Sequence, residues 1–212
     1  MTEQTEAAPR RRPGPSKRAA AAKTLSPSAL AVREAALDLF FRQGYNGTSL
    51  RQLADEVGMQ VGSLYNHISS KEQLLFEIMR QVMLDLIEAS KLAVEGLDDP
   101  LDRLRAFFGA GVRYYAQHQR EALIGNSELR ALPPARRAEI IALRDKYQRT
   151  LEKLLQAVAD AGQAEIEDVK VAAYAGVAMY LHVAAWYRPD GRLDIDDIER
   201  ILSDMYSPTR TR

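Results

Sequence analysis

The sequence predicts an all-α fold of about nine helices. Three observations carry that reading. Apolar residues return with the 3.6-residue period of a helix, no segment alternates apolar and polar as a half-buried strand does, and Ser, Asp or Pro precedes most apolar stripes, where helices start. At 212 residues, 46% of them apolar, the chain is long enough to bury a core without metal or crosslinks. It has no cysteine, which excludes a disulfide framework, a cysteine-based zinc site and a thiol nucleophile together.

The elements follow in order. Residues 1–25 are rich in Ala, Pro, Arg and Lys with no apolar period, and read as a disordered arm. Ser26-Pro27 is a cap followed by the helical position that favours proline, and Val32, Ala35, Ala36, Leu39 and Phe40 make one helical face that ends at Gly44. Ser49 with Gln52 forms a capping box for a short helix carrying Leu53, Ala54 and Val57, stopped by Gly58. A third short helix spans about 60–67, and Ser69 with Glu72 reads as a second capping box opening a long helix to about 95. Asp99-Pro100 starts a helix with Leu101, Leu104, Phe108, Val112 and Tyr115 in period, and Pro133-Pro134 opens one with Ile140, Tyr147, Leu151, Leu154 and Val158 inward.

Residues 171–187, VAAYAGVAMYLHVAAWY, are uncharged but short of the roughly 20 apolar residues a membrane span needs, so they read as a buried helix stopped by Pro189. Asp194 caps a last helix with Ile195, Ile198, Leu202 and Met205 on one side. The N-terminus has no signal-peptide core, and the expected location is cytoplasmic, with no membrane partner. The expected division is an arm (1–25), a head (26–70), a larger helical domain (71–206) and a tail (207–212).

Charge is uneven. The 29 basic and 29 acidic residues cancel, yet residues 1–25 hold six basic and two acidic groups, so a basic arm sits on a mildly acidic body. Behind the arm, the short helices about Gly58 make a helix-turn-helix unit with one support helix before it. The second helix of such a pair must enter a groove about 12 Å wide, with outward residues short or planar enough to reach base edges. Residues 60–67 suit that: Leu64 and Ile68 pack back, Gly62 and Ser63 permit close approach, and Tyr65, Asn66 and His67 offer hydrogen-bonding ends. Thr48 and Lys71 stand at helix starts, where free N–H groups favour phosphate.

Residues 44–74, GYNGTSLRQLADEVGMQVGSLYNHISSKEQL, resemble the DNA-binding signature of the TetR family of transcriptional regulators, through Gly44, Thr48, Leu53, Ala54, Gly58, Gly62, Leu64, Tyr65, His67, Lys71 and Leu74. The resemblance implies a homodimeric repressor on a palindromic double-stranded DNA operator, released when a small molecule enters the larger domain, with no cofactor. It places Arg51, Val61, Gly62, Ser63, Tyr65 and Asn66 near bases and Thr48, His67 and Lys71 near phosphates, with Ser49 and Gln60 beside them at helix starts. Two positions depart from the pattern. Gln60 replaces the usual Ser and is a weaker cap, and Val61 cannot donate a hydrogen bond but can meet a thymine methyl. Residues 26–75 hold four basic and five acidic groups, so the arm with Arg10, Arg11 and Arg12 is expected to supply attraction, its arginines in the minor groove. The competing reading of the arm is a solvated tail.

The larger domain is expected to hold the effector. The segment WYRPDGRL (186–193) resembles the C-terminal region of TetR-family regulators that answer acyl-CoA thioesters of lipid or sterol catabolism. Such a ligand needs cations at the mouth of its site and an apolar tunnel behind. Arg130, Arg188 and Arg192 are the candidate cations, and Phe108, Tyr115, Tyr147, Tyr180, His182 and Trp186 the candidate lining. The resemblance implies dimerisation through the last two helices, where Ala172, Ala173, Gly176 and Ala184 permit close approach. The alternatives are a sensor of a lipophilic drug-like compound controlling an efflux pump, which calls for buried carboxylates and aromatics, and a helical adaptor that binds no DNA. An enzyme is disfavoured. His67, His118 and His182 lack the spacing of a helical metal site, and neither a glycine-rich phosphate loop nor a nucleophile elbow is present.

Overall fold

The computed structural model describes residues 26–206, whose regular elements are all helices, with no strand among them. The helices are α1 (Pro27–Gly47), α2 (Leu50–Glu56), α3 (Val61–Leu64), α4 (Lys71–Ala93), α5 (Pro100–Gln117), α6 (Gln119–Ser127), α7 (Pro134–Asp160), α8 (Val169–Trp186) and α9 (Ile195–Tyr206), with a 3₁₀ turn at Leu129–Ala131. The arm, with Arg10, Arg11 and Arg12, and the tail lie outside the described residues.

Local chemistry accounts for most boundaries. Ser26 accepts a hydrogen bond from the Ala29 N–H, and Ser49 and Gln52 close their capping box in both directions. Gly44 interrupts α1 at φ 77°, a conformation that suits a residue without Cβ, and 45–47 form a further turn. Two details differ from the sequence reading. The cap of α4 is Ser70 rather than Ser69, accepting from the Gln73 N–H, because Glu72 is turned to Arg136 on α7 instead of back to the cap. Helix α3 is four residues long, and 65–68 leave it through a turn in which the His67 and Ile68 N–H groups both bond the Leu64 carbonyl.

Helix α6 is absent from the sequence reading. Its segment QREALIGNS buries only Ala122, Ile124 and Gly125, and no side chain caps it, so it shows neither an apolar stripe nor a start signal. It begins because the backbone breaks at His118, at φ −120° and ψ 48°, and resumes as helix in a new direction.

Two cores organise the chain. The head core gathers Val32, Ala36, Phe40, Leu53, Leu64 and Leu75, and it reaches into the larger domain through Ile124, Leu132 and Ile140. The second core is built on Leu104, Phe108, Val112, Leu151, Tyr180 and Val183. Helix α4 joins them, its first turns in one core and Val82, Met83 and Leu86 in the other. At the centre of the second core Phe108 stacks on Tyr206 with ring centroids 4.5 Å apart and meets Tyr180 edge-on at 5.4 Å. Gly176 gives Tyr206 its place: a Cβ there would run into the ring, whose hydroxyl donates to the Ala172 carbonyl at 2.9 Å.

Truncation at this centre leaves a void that three helices cannot fill. Phe108→Ala is expected to cost about 3–5 kcal/mol of stability, whereas Phe41→Ala, on the exposed side of α1, costs no more than about 0.5 kcal/mol. Urea unfolding at one fixed protein concentration checks both.

Candidate DNA-binding face and effector cavity

The turn 57–60 joins α2 to α3 as a helix-turn-helix requires, and burial sorts the residues of α3 into two roles. Leu64 is fully buried against the head core and Ile68 nearly so. Val61, Gly62, Ser63, Tyr65 and Asn66 all face solvent, Tyr65 with 54% of its surface exposed. Val61 and Tyr65 are thus exposed apolar side chains at the two ends of this short element. Gln60 occupies the N-cap position of α3 with no side-chain cap, while Ser49 and Arg51 are exposed at the start of α2.

Two expected phosphate contacts are placed differently. Thr48 is buried, its hydroxyl donating to the Gly44 carbonyl at 2.9 Å and accepting from Gln43. Lys71 spends two of its three N–H donors inside the head, on the carbonyls of Tyr45 (2.8 Å) and Thr48 (2.6 Å), with its ammonium 4.2 Å above the Tyr45 ring. Burial lowers its pKa from the ordinary lysine value, with Glu128 opposing that shift. Lys71 thereby clamps the α1–α2 loop onto α4, while the Thr48 hydroxyl ties that loop to the end of α1. His67 is half-buried beside α3.

In the larger domain a cavity of roughly 270 Å³ opens between α4, α5, α6, α7 and α8. Met79, Val82 and Met83 form one wall, Tyr115 and Tyr147 another, and Tyr174, Val177 and Leu181 a third. Burial pushes the Tyr147 phenol up to about 12 and the Tyr115 phenol higher than its ordinary value, so both remain neutral donors. Glu121, Arg144, Asp145 and Gln148 are the polar lining.

Of the nine expected effector residues, the structure brings Tyr115 and Tyr147 to this cavity. Phe108 and Tyr180 are packed in the core behind it. Arg130 is exposed on the 3₁₀ turn, and Arg188 and Arg192 are exposed after α8. Trp186 lies nine residues beyond Val177, about two and a half turns at 3.6 residues per turn, so it points to the far side of α8; His182 is likewise exposed, outside the cavity. The cavity's arginine is instead Arg144. Its signal is in the sequence: four residues after Ile140 and three before Tyr147, it is a charge standing on the apolar stripe of α7.

The exposed side of α8 carries Val171, Tyr174, Ala175, Ala178, His182 and Ala185, a continuous stripe at helical spacing. Ala173, Gly176 and Ala184, expected to let another helix approach, are buried within the protomer, where α5, α7 and Tyr206 occupy that side. By length and composition α8 also meets the criterion for a membrane-crossing helix, and its inner side is spent on the core.

Helix α6 belongs to both sites. Arg120 pairs with Glu34 (2.9 Å) and with Asp38 of α1, and Glu128, just past α6, accepts the Tyr45 N–H at 3.4 Å. On its other side Glu121, Ala122, Gly125 and Asn126 wall the cavity.

Comparison with known proteins gives two family matches: residues 32–78 fit the bacterial regulatory proteins of the tetR family, and residues 97–207 fit the tetracyclin repressor-like C-terminal domain. The transcriptional repressor KstR2 of Mycobacterium tuberculosis is 29% identical over 168 residues, covering 78% of this chain and 84% of that protein. Among solved structures, AibR in complex with isovaleryl coenzyme A and operator DNA superposes with a TM-score of 0.78 at 32% identity, covering 86% of this chain and 99% of that one. The regulator PfmR from Thermus thermophilus superposes with a TM-score of 0.77 at 31% identity, covering 85% and 99% respectively.

The clamp has a measurable signature. Lys71→Met removes the donor of two carbonyls and is expected to destabilise the head by about 1–3 kcal/mol, seen as faster amide hydrogen exchange over 45–56. Arg51→Ala, at an exposed position, leaves that exchange unchanged.

Proposed function

The chain belongs to the TetR family of bacterial regulatory proteins, and from that premise we propose that it is a repressor whose effector is an acyl-CoA thioester. It is a DNA-binding transcription regulator with a ligand-binding domain, not an enzyme. The observation that carries the effector reading is the cavity itself, apolar on three walls and roughly 270 Å³, at the small end of ligand sites. It takes an acyl group and leaves the coenzyme's nucleotide outside. The binding of isovaleryl coenzyme A by AibR supports the same reading.

Bases are met by Arg51, Val61, Gly62, Ser63, Tyr65 and Asn66, with Ser49, Gln60 and His67 at the edge of that face; the arm adds Arg10, Arg11 and Arg12. Two copies joined through the exposed stripe of α8 and through α9 place two α3 helices on a palindrome, with half-sites about one helical turn apart or a multiple of it. Such a protein works where the operator is, in the cytoplasm. Release follows if the effector binds better to the arrangement in which α6 has shifted and carried Arg120 and α1 with it. A second reading has its own observation: Glu121 and Asp145 with three tyrosines in the lining suit a lipophilic cation.

Two experiments test these assignments. A labelled operator complex titrated with isovaleryl-CoA, isovalerate and a lipophilic cation is expected to dissociate with the thioester, and release by the cation alone favours the second reading. Deleting residues 1–18, which hold five basic and two acidic groups, is expected to weaken binding to all sequences and to flatten the salt dependence by about 0.9 per lost phosphate contact. An unchanged slope assigns the arm no contact with DNA.

A further inference from the structure

Arg144 is the one basic side chain in the cavity lining, and its charge is poorly answered. Among the described residues its hydrogen-bond acceptor is the Gly125 carbonyl, at 2.7 Å, and no carboxylate pairs with it. Of the two carboxylates in the lining, Glu121 faces His118 at 3.7 Å and Asp145 is exposed, and neither is within ion-pair distance of Arg144. Burial pulls the Arg144 guanidinium down from the ordinary arginine range, with only the Tyr115 phenol opposing. An arginine does not discharge under these conditions, so the guanidinium stays charged with no carboxylate paired to it directly.

A structural role explains part of this. Gly125 lies in the last turn of α6, where carbonyls lack intrahelical partners, and a cation is favourable there. That role uses one of five N–H groups on a side chain whose fork matches a carboxylate. Tyr115 stands in the same lining as a further donor, while the Tyr147 hydroxyl is shared with Ser90 at 3.3 Å.

We infer that the cavity is selective for an effector whose apolar portion ends in a carboxylate, seated on Arg144. The inference rests on the assignment of this cavity as the effector site, and within the thioester reading it specifies an acyl group with a distal acid rather than a plain hydrocarbon. Such a ligand supplies the direct ion-pair partner that Arg144 lacks and touches the side chain that holds Gly125, on the helix that seats the head.

The test uses the full chain and two thioesters of equal carbon number, hexanoyl-CoA and adipoyl-CoA, the second bearing a terminal carboxylate. Calorimetric titration is expected to show adipoyl-CoA binding about tenfold tighter or better, with the ratio falling toward one in Arg144→Gln and partly restored in Arg144→Lys. A merely structural arginine changes the melting temperature of these variants but not the ratio. The wild-type ratio stands even if a variant fails to fold, and equal or tighter binding of hexanoyl-CoA overturns the inference. If neither thioester binds, the thioester reading falls, and hexanoate against 1-hexanol then decides the matter. Preference for the acid upholds the role of Arg144, and preference for the alcohol removes it.

Discussion

Helix α4, which runs from one core into the other, and the nine residues of α6 each touch both the head and the cavity. On one side α6 holds α1 by the two carboxylates that receive Arg120; on the other its Ala122 and Gly125 are cavity wall. An element with so little buried surface of its own is held by its neighbours rather than by its own stripe. Helices α5 and α7, by contrast, are fixed by layers of aromatic side chains in a close-packed core. The clamp at Lys71 complements this arrangement. It ties the loop before α2 to the start of α4 through the carbonyls of Tyr45 and Thr48.

The fold was legible wherever a helix carried both a stripe and a start signal. Ser26-Pro27, the Ser49–Gln52 box and Asp99-Pro100 each mark a helix that the structure contains. Helix α6 has neither and was invisible, since a helix defined by a backbone break and by the surfaces around it leaves no periodic trace. The one-residue displacement of the α4 cap has a related cause. Glu72 had two possible partners, and the tertiary one, Arg136, prevailed over the local one.

The two sites differed for a physical reason. The exposed face of α3 is local: one turn and one short helix place Val61, Ser63, Tyr65 and Asn66 outward, so spacing alone predicts their exposure. A cavity is assembled from five helices, and which aromatic residues line it depends on the rotation of each. Tyr180 and Tyr147 share a chemistry and a cluster, yet one is core and the other lining. The half-buried charge of Arg144 on the α7 stripe is the signal the sequence reading left unused, because a cation on an apolar stripe needs a reason that a tyrosine there does not.

Tyr174 stands at once on the rim of the cavity and in the stripe of α8 that faces outward. In an assembly built on that stripe, the second subunit lies against the rim, and occupancy of the cavity and association of the chains cease to be separate equilibria. Whatever factor one changes in the other is returned in the reverse direction. The dose at which such a protein answers its ligand then depends on how much of the protein the cell holds. A repressor that governs its own abundance would thereby also set its own sensitivity.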